Sequence, residues 1–570
     1  MLGAAADAGI HSRLLSGRRH KHWGWGYEDQ QPAAADVAAA ARGMVGHLGF
    51  GGEPIESPVP LQEVSLAAAR VVAPAALSAL CEADVHARAS HAWGKSYSDV
   101  VRGFRGRFDH PPDVVVRPGD EADVERVLEW CASANLAVIP FGGGTSVVGG
   151  VEPDVGPGYD GVVSLDLRGL DRVLEIDPIS RAARIQAGAT GPGLEGQLGA
   201  HGLTLRHFPQ SFEYSTLGGW VATRAAGHYA TGPTHIEDCV ESLRAVTPSG
   251  TWASWRLPGS GAGPSPDRML VGSEGALGVI TEAWMRVRPR PRHRASAAVR
   301  FDGFLHGAEC VRAISQSGLL PANCRLIDAQ EARLTFAGDG SDALLVLGFE
   351  SDDHPVTQAM DRALALCAEH GGRAEEGRRG GEERIAPPAP TSSPAGTRDG
   401  SAVTSWRSAF LQAPYLRDVF VAMGVLSETF ETAITWERFP ALHERVMACA
   451  GEAVADACGL KVAGGPGSAH VCCRLTHVYA DGPAPYYTVL APAVRGQEVD
   501  QWAAVKRAVS DVLSRAGATI THHHAVGRDH RHWYDRQRPD VFAAALTAAK
   551  QAVDPSGILN PGVLVGGRAS

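Results

Sequence analysis

The chain predicts an α+β protein of at least two domains, preceded by a helical N-terminal region. Three observations carry that prediction. Its 570 residues exceed what one hydrophobic core ordinarily organises. Short apolar runs bounded by Gly and Pro alternate with stretches whose apolar residues recur at helical spacing. One such run leads straight into a glycine-rich loop, PFGGGTSVVGG, at Pro140 to Gly150.

In chain order, residues 1–110 read as mainly helical: Ala-rich segments broken by Gly and Pro, with an aromatic island from His22 to Tyr27. Within them Val37 to Leu48 is apolar around much of its circumference and reads as a core helix, the alternative being an amphipathic helix that faces a membrane. A first α+β domain is expected over residues 111–292. Its strands are Val114 to Val116, Leu136 to Pro140, Gly161 to Leu165 and Ala183 to Ala187, and its first helix is Asp123 to Asn135. A second α+β domain is expected over 293–530, with a strand from Ala343 to Gly348 and a helix from Val356 to Glu369. Gly371 to Gly400, rich in charge, Pro and Gly, reads as a mobile loop of that domain. Residues 531–570 bring a helix from Val541 to Val553 and a return to the first domain.

Composition excludes several classes. A net charge of -10 gives no electrostatic footprint for nucleic acid. The 10 cysteines show no paired CxxC spacing, which suits reduced thiols in a cytosol better than a disulfide framework. No apolar run has the length of a membrane span, and no secretory core is visible at the start. The expectation is a cytoplasmic protein with, at most, a peripheral contact to a membrane.

Successive glycines let a backbone take positive φ and turn its N–H groups inward, a nest for phosphate oxygens. Glycine content alone fits a flexible surface turn equally well. No Lys-Ser/Thr pair closes the loop, so it is not a Walker A loop, and Thr-Ser-Val-Val after Gly144 is not the opening of a Rossmann helix. Two further segments follow: PQSFEYSTLGGWVATRAAG, from Pro209 to Gly227, and GSEGALGVITEAWMRVRP, from Gly272 to Pro289. With these three motifs in order, the chain resembles the vanillyl-alcohol-oxidase, or PCMH-type, family of FAD enzymes. The resemblance implies a PCMH-type FAD-binding domain and an α+β cap domain that presents the substrate; His207 and the loops beside it show no sign of a linkage, so FAD is expected to be held non-covalently. It assigns the FAD diphosphate to Pro140, Phe141, Gly142, Gly143, Gly144, Thr145 and Ser146. To the flavin ring and adenosine it assigns Gln210, Ser211, Phe212, Glu213, Tyr214, Ser215, Thr216, Thr223, Arg224, Ala225 and Ala226. Glu274, Gly275, Ala276, Leu277, Gly278, Val279 and Ile280 complete that set. Phe212, Tyr214 and Leu277 suit a hydrophobic core as well.

Family members that oxidise D-lactate or glycolate carry a His-x-Gly-Asp-Gly-x-x-His segment and a later Gly-Glu-His-Gly. Here the corresponding stretches read CRLTHVYADGPAPYY, from Cys473, and THHHAVGRDH, from Thr521. Together with WGWGYED, CRLIDA from Cys324, YLRD from Tyr415 and SETFETAITWER from Ser427, they make the chain similar to the alkylglycerone-phosphate synthase (alkyl-dihydroxyacetonephosphate synthase) family. The resemblance implies a transferase that exchanges the acyl group of acyl-dihydroxyacetone phosphate for a long-chain alcohol, the ether-forming step of ether-lipid synthesis. It also implies a substrate adduct at flavin N5, no net redox change, and a homodimer. An FAD-dependent 2-hydroxy-acid oxidoreductase is the alternative. A scaffold that merely holds flavin would leave the arginines and histidines below without a purpose.

By that resemblance Arg325 and Tyr486 are catalytic, Tyr486 transferring the proton, and Arg417 binds substrate. The residue types suit the chemistry. A phosphate on a small ketone calls for the planar fork of arginine. Arg417 also fits a helix-surface arginine paired with a local carboxylate. If APYYTVL is a strand, Tyr486, Thr488 and Leu490 share one face and Tyr487 takes the other. A phenol, ordinarily with a pKa of about 10, needs cationic or histidine neighbours to act as a base, and His522, His523 and His524 are the candidates. On a strand only His522 and His524 would share a face. Two histidines fall short of the three or four ligands a zinc site uses, so no metal is expected. His207 is a further candidate for substrate binding, or else a satisfied histidine at a strand end.

Overall fold

The fold is seen in a computed structural model, which describes residues 18–52, 54–375, 416–460 and 469–566. Three main sheets organise it. In the first, Val114–Val116, Gly161–Asp166 and Leu136–Phe141 run parallel, and Cys81–Glu82 adds an antiparallel edge. These parallel strands are buried on both faces, which is why they read as unbroken apolar runs rather than as alternation. The helix Glu121–Ser133 precedes Leu136–Phe141 and starts two residues ahead of the sequence expectation. Its start is set by Asp120, whose side chain accepts from the Asp123 backbone N–H.

The second sheet is antiparallel, in the order Val173–Asp177, Ala182–Gln186, Val279–Arg286, Val240–Thr247 and Gly250–Ala253. Leu194, Leu198, Trp220 and Val221, from the helices Gly191–Gly199 and Leu217–Thr223, share a core with Ile185, Leu243 and Ala283 of this sheet.

The third sheet has seven antiparallel strands: Arg373–Ala374, His293–Phe301, Ala343–Ser351, Asn323–Ile327, His470–Val478, Pro483–Pro492 and Val425–Glu431. Its two faces differ sharply. Cys324, Leu326, Cys473, Leu475, Tyr487, Val489, Leu426 and Phe430 enter the largest core, with apolar residues of the helices Phe304–Gln316, Thr357–Glu369, Phe439–Cys458 and Glu498–Arg515. The alternate residues Arg325, Cys472, Arg474, Thr476, Tyr486, Thr488, Leu490, Ser427 and Thr429 line a cavity on the opposite face. A strand's side chains alternate with period two, so one sheet serves as the base of a core and the floor of a site. The split expected for Tyr486, Thr488 and Leu490 against Tyr487 is what the structure shows.

Residues 18–110 depart from the mainly helical expectation. Their helices longer than a single turn are Ala34–Leu48, Val85–Ser90 and Tyr97–Phe104, and much of 50–84 is irregular. Prolines at 54, 58, 60 and 74 remove donors and bias the preceding residue away from helix; alanine content alone does not override that. Ala34–Leu48 is not a core helix either. Only Ala41 and Leu48 are buried, and Met44, His47 and Leu48 line the cavity.

The closing segment returns to the first sheet. The Val138 N–H donates to the Ile558 carbonyl (2.8 Å) and the Asn560 N–H to the Val138 carbonyl (2.9 Å). Before it, the helix Asp540–Val553 places Lys550 Nζ where it donates to the carbonyls of Ala276 and Leu559. The loop expected from Gly371 lies outside the described residues from 376 onward. Among the described residues, no helix is long and apolar enough to cross a membrane.

Candidate active site

A cavity of 390 Å3 runs from the glycine loop to the seven-stranded sheet and on to the helix Ala34–Leu48. At one end Pro140, Phe141, Gly142, Gly143, Gly144, Thr145 and Ser146 all line it, as do Gln210, Ser211, Ser215, Thr216, Thr223, Ala225, Ala226, Glu274, Gly275, Gly278 and Ile280. The loop is wound tightly: Gly144 has φ +64, and Ser146 Oγ accepts from the Gly150 N–H at 2.9 Å. Gly143 lies so close to the middle motif that a Cβ there would overlap the Tyr214 carbonyl. Glu274 ties the third motif to the histidine segment, accepting from the N–H groups of Val526 (2.9 Å) and Gly527 (2.8 Å). Burial pushes its carboxyl up to about 7, against the pull of those two donors.

Seven residues assigned to the cofactor point elsewhere. Phe212 stacks toward Trp220, with centroids 6.3 Å apart, and Glu213 is half-buried away from the cavity. Tyr214 packs beside Tyr27 and Trp25, at 5.3 and 6.2 Å between centroids. Arg224 turns outward to Glu237, 2.9 Å away. Ala276, Leu277 and Val279 are buried, the last two in hydrophobic cores. Unlike the glycine loop, whose seven consecutive residues all reach the cavity, the second and third motifs turn some of their side chains to the opposite side. The side chains of Tyr214 and Leu277 pack in hydrophobic cores, and that of Phe212 packs against one.

His207 is fully buried but does not line the cavity. It stands behind Gly227 and 5.3 Å from the Trp220 ring, and burial pulls its imidazole down to about 3. Its Nε2 is buried with no hydrogen-bond partner among the described residues, directly behind the cavity-lining Gly227.

The far end is charged. Arg325 and Arg474 both line the floor, and burial, followed by the neighbouring Arg474, pulls the Arg325 guanidinium down to about 9. Arg325 donates to the His228 carbonyl at 3.1 Å, while Arg474 is paired with Glu331 at 2.9 Å. Two buried guanidiniums side by side, with planar donor forks toward the cavity, make this floor a place for an anion. Arg474 also lies 3.9 Å from the centroid of Tyr486, and Arg474, Tyr486 and Glu431 are direct partners across three strands. Arg417 lines the cavity and donates to the Lys95 carbonyl at 2.6 Å, so it is not the locally paired surface arginine of the alternative reading.

The triple-histidine segment is not a strand. Glu431 accepts from the backbone N–H groups of His522 (2.6 Å), His523 (2.9 Å) and His524 (2.9 Å), and from the Thr521 hydroxyl. Three successive amides on one carboxylate require the backbone to wrap around it, which abolishes strand alternation. His523 and His524 therefore face the cavity, 6.1 and 5.6 Å from the Tyr486 ring, and His522 turns away. Burial opposes the Glu431 charge, but His523 and His524 beside it, with the donors it accepts from, hold it well below the usual carboxylate range.

His477, Arg474, Glu331 and Glu431 were all inside quoted motifs or next to them and were not singled out. The available signal was strand alternation: Arg474 and Thr476 share the face that Tyr486 occupies on the paired strand. His477 corrects the histidine count, because nitrogens of His477, His522 and His523 lie within 4.8 Å of one another. These atoms are engaged by protein groups: His477 Nε2 with the Gly227 carbonyl (3.1 Å), His522 Nδ1 with His523 Nδ1 (3.0 Å).

The third arm of the cavity is apolar, formed by Met44, Leu48, Leu334, Leu416, Phe420 and Leu490.

Residues 112–255 match the model of the FAD binding domain, and 290–564 that of the C-terminal domain of FAD linked oxidases. The alkyldihydroxyacetonephosphate synthase of Trypanosoma brucei brucei is 31% identical over 85% of this chain and 78% of its own length. That of Dictyostelium discoideum is 30% identical over the same shares. A solved alkyldihydroxyacetonephosphate synthase, 24% identical, shares the fold with a TM-score of 0.75 over 96% of this chain and 99% of its own.

Proposed function

Because this chain belongs to the alkyldihydroxyacetonephosphate synthase family, we propose that it exchanges the acyl group of an acyl-dihydroxyacetone phosphate for a long-chain alcohol. It is an FAD-dependent enzyme of that kind. The observation that carries the reaction is that one cavity joins a phosphate-type glycine nest, a two-arginine floor and an apolar arm. A 2-hydroxy acid needs an anion site but gives the apolar arm no purpose.

The residues present fit FAD. The glycine loop offers backbone donors for a diphosphate, and the small residues Ala225, Ala226, Gly275 and Gly278 leave room for a flat ring. When bound, FAD supplies an electrophilic ring that returns to its starting oxidation state. Arg325 and Arg474 hold the substrate phosphate at the floor. Tyr486, set between Arg474 and His524, takes the proton from the carbon next to the carbonyl. The apolar arm takes the alkyl chains and keeps water from competing with the alcohol.

Two variants test these assignments. Arg325→Met removes a charge-assisted contact worth roughly 1.5–3 kcal/mol, so kcat/KM falls about 10–150-fold with flavin content unchanged. Leu490→Trp fills part of the apolar arm; KM for hexadecanol rises about tenfold while KM for a short alcohol stays put.

The reading as a whole is tested by anaerobic absorbance. Acyl-dihydroxyacetone phosphate bleaches the flavin band at about 450 nm, and a long-chain alcohol restores it without an electron acceptor. If D-lactate or 2-hydroxyglutarate bleaches the flavin and only an acceptor restores it, the chain is a dehydrogenase.

A further inference from the structure

We propose that His523, His522 and Tyr479 form a proton relay, oriented by Thr234, that carries the proton released in each turnover from the cavity to water at the half-buried Tyr479. This inference rests on the transferase reading for its purpose, but its geometry stands without it.

The need follows from the balance of the reaction. The C–O bond to the acyl group breaks and the carboxylate leaves with the electron pair. The alcohol O–H bond breaks and its oxygen forms the new C–O bond. One proton per turnover is left over at neutral pH. The apolar arm is a poor route for it, since an ion there would lose its hydration.

The chain of contacts is continuous. His523 lines the cavity beside Tyr486. Its Nδ1 is 3.0 Å from His522 Nδ1; His522 Nε2 is 2.7 Å from the Tyr479 hydroxyl; that hydroxyl is 3.0 Å from Thr234 Oγ1; and Thr234 Oγ1 is 3.2 Å from His235 Nδ1. His235 Nε2 ends the chain on the His522 carbonyl at 3.1 Å. Tyr479 and His235 are half-buried, so water reaches that end.

One terminal acceptor sets the direction of every bond. A carbonyl only accepts, so His235 Nε2 donates. Burial keeps His235 neutral, so its Nδ1 accepts, and Thr234 at 3.2 Å donates to it in preference to the Tyr479 hydroxyl at 3.5 Å. The single Thr234 proton is then used, so Thr234 accepts from Tyr479. The Tyr479 oxygen in turn accepts from His522 Nε2. Burial holds His522 neutral as well, which leaves its Nδ1 to accept from His523 Nδ1, whose proton is shared with Glu431 Oε2 at 3.2 Å. The donors on His523, His522 and Tyr479 therefore point away from the cavity, and Thr234 and His235 fix them by closing back onto the His522 carbonyl. A proton arriving at the cavity-side nitrogen of His523 displaces the Nδ1 proton onto His522, which releases its Nε2 proton to Tyr479. The Tyr479 hydroxyl then turns its own proton from Thr234 to water. One N–H or O–H bond breaks for each that forms, and no group accumulates charge.

Two measurements on the full-length holoenzyme test the relay. In Tyr479→Phe the ring and its packing stay but the hydroxyl is lost: kcat falls about tenfold, KM and flavin content hold, and the solvent deuterium isotope effect on kcat rises. Wild-type kcat and isotope effect in that variant overturn the relay. Neutron diffraction of the deuterated wild-type protein gives a readout independent of turnover, with deuterons expected on His523 Nδ1, His522 Nε2 and His235 Nε2, and on Tyr479 pointing to Thr234. A reversed bond, or a metal ion between His477, His522 and His523, also overturns it. Should the wild-type protein fail to turn over the acyl ketone phosphate, the transferase reading falls, and the neutron map still decides the relay.

Discussion

Tyr486→Phe lowers kcat by about 10²–10⁴-fold, the usual worth of a positioned acid–base group, while the flavin stays bound and the fold is unchanged. The ring is held from several sides. Arg474 sits 3.9 Å from its centroid, the Arg474–Glu331 pair fixes that guanidinium, and His524 meets the ring edge-on at 5.6 Å. Phenylalanine keeps every one of these packing contacts and deletes only the hydroxyl. Stopped-flow absorbance separates the outcomes: the variant binds substrate with wild-type affinity and the flavin band changes slowly or not at all. Wild-type kinetics in Tyr486→Phe would move the base to His523 or His524, the other titratable groups that line this part of the cavity beside the ring.

Gly143→Ala yields a protein that purifies with little flavin. A Cβ at 143 would overlap the Tyr214 carbonyl, with the Ser215 Cα close behind. Both are backbone, so neither can swing aside as a side chain does. The glycine loop and the middle motif must separate, which destabilises the fold by roughly 3 kcal/mol or more. The flavin-to-protein ratio falls from near one to below about one-tenth, as expected when a binding-competent backbone is only a minor state. Gly196→Ala is the control. Nothing lies within 4 Å of a Cβ there, and Gly196 sits in the helix Gly191–Gly199, so alanine raises stability by about 0.5–1 kcal/mol and leaves the ratio alone.

The parts of this molecule that were legible in the sequence are those governed by short-range periodicity. Val114–Val116, the helix before Leu136 and the strand carrying Tyr486 all follow from it, with ends displaced by one or two residues where a cap such as Asp120 decides. What misled was treating a local pattern as sufficient where a distant group overrides it. His522, His523 and His524 carry a strand-like apportionment of faces only until Glu431, some ninety residues earlier, gathers their amides. Arg224 and Glu213 belong to a cofactor motif by position, yet the backbone that carries them faces away. His477 carries no local signal of its role, because its partners, Gly227 and His522, come from two other segments. Motifs locate segments well; the choice of side chain within a segment is made by tertiary contacts.

The return of residues 558–560 to the glycine-loop strand has a consequence for how the enzyme is made. The Asn560 side chain donates to the carbonyls of Gly150 (3.0 Å) and Glu274 (2.7 Å), and the backbone beside it zips onto Val138. The nest is therefore finished by residues that leave the ribosome more than four hundred positions after the loop itself. A chain that ends before them lacks the groups that tie the glycine loop to the third motif, so the cofactor site closes fully only once these last residues have been made.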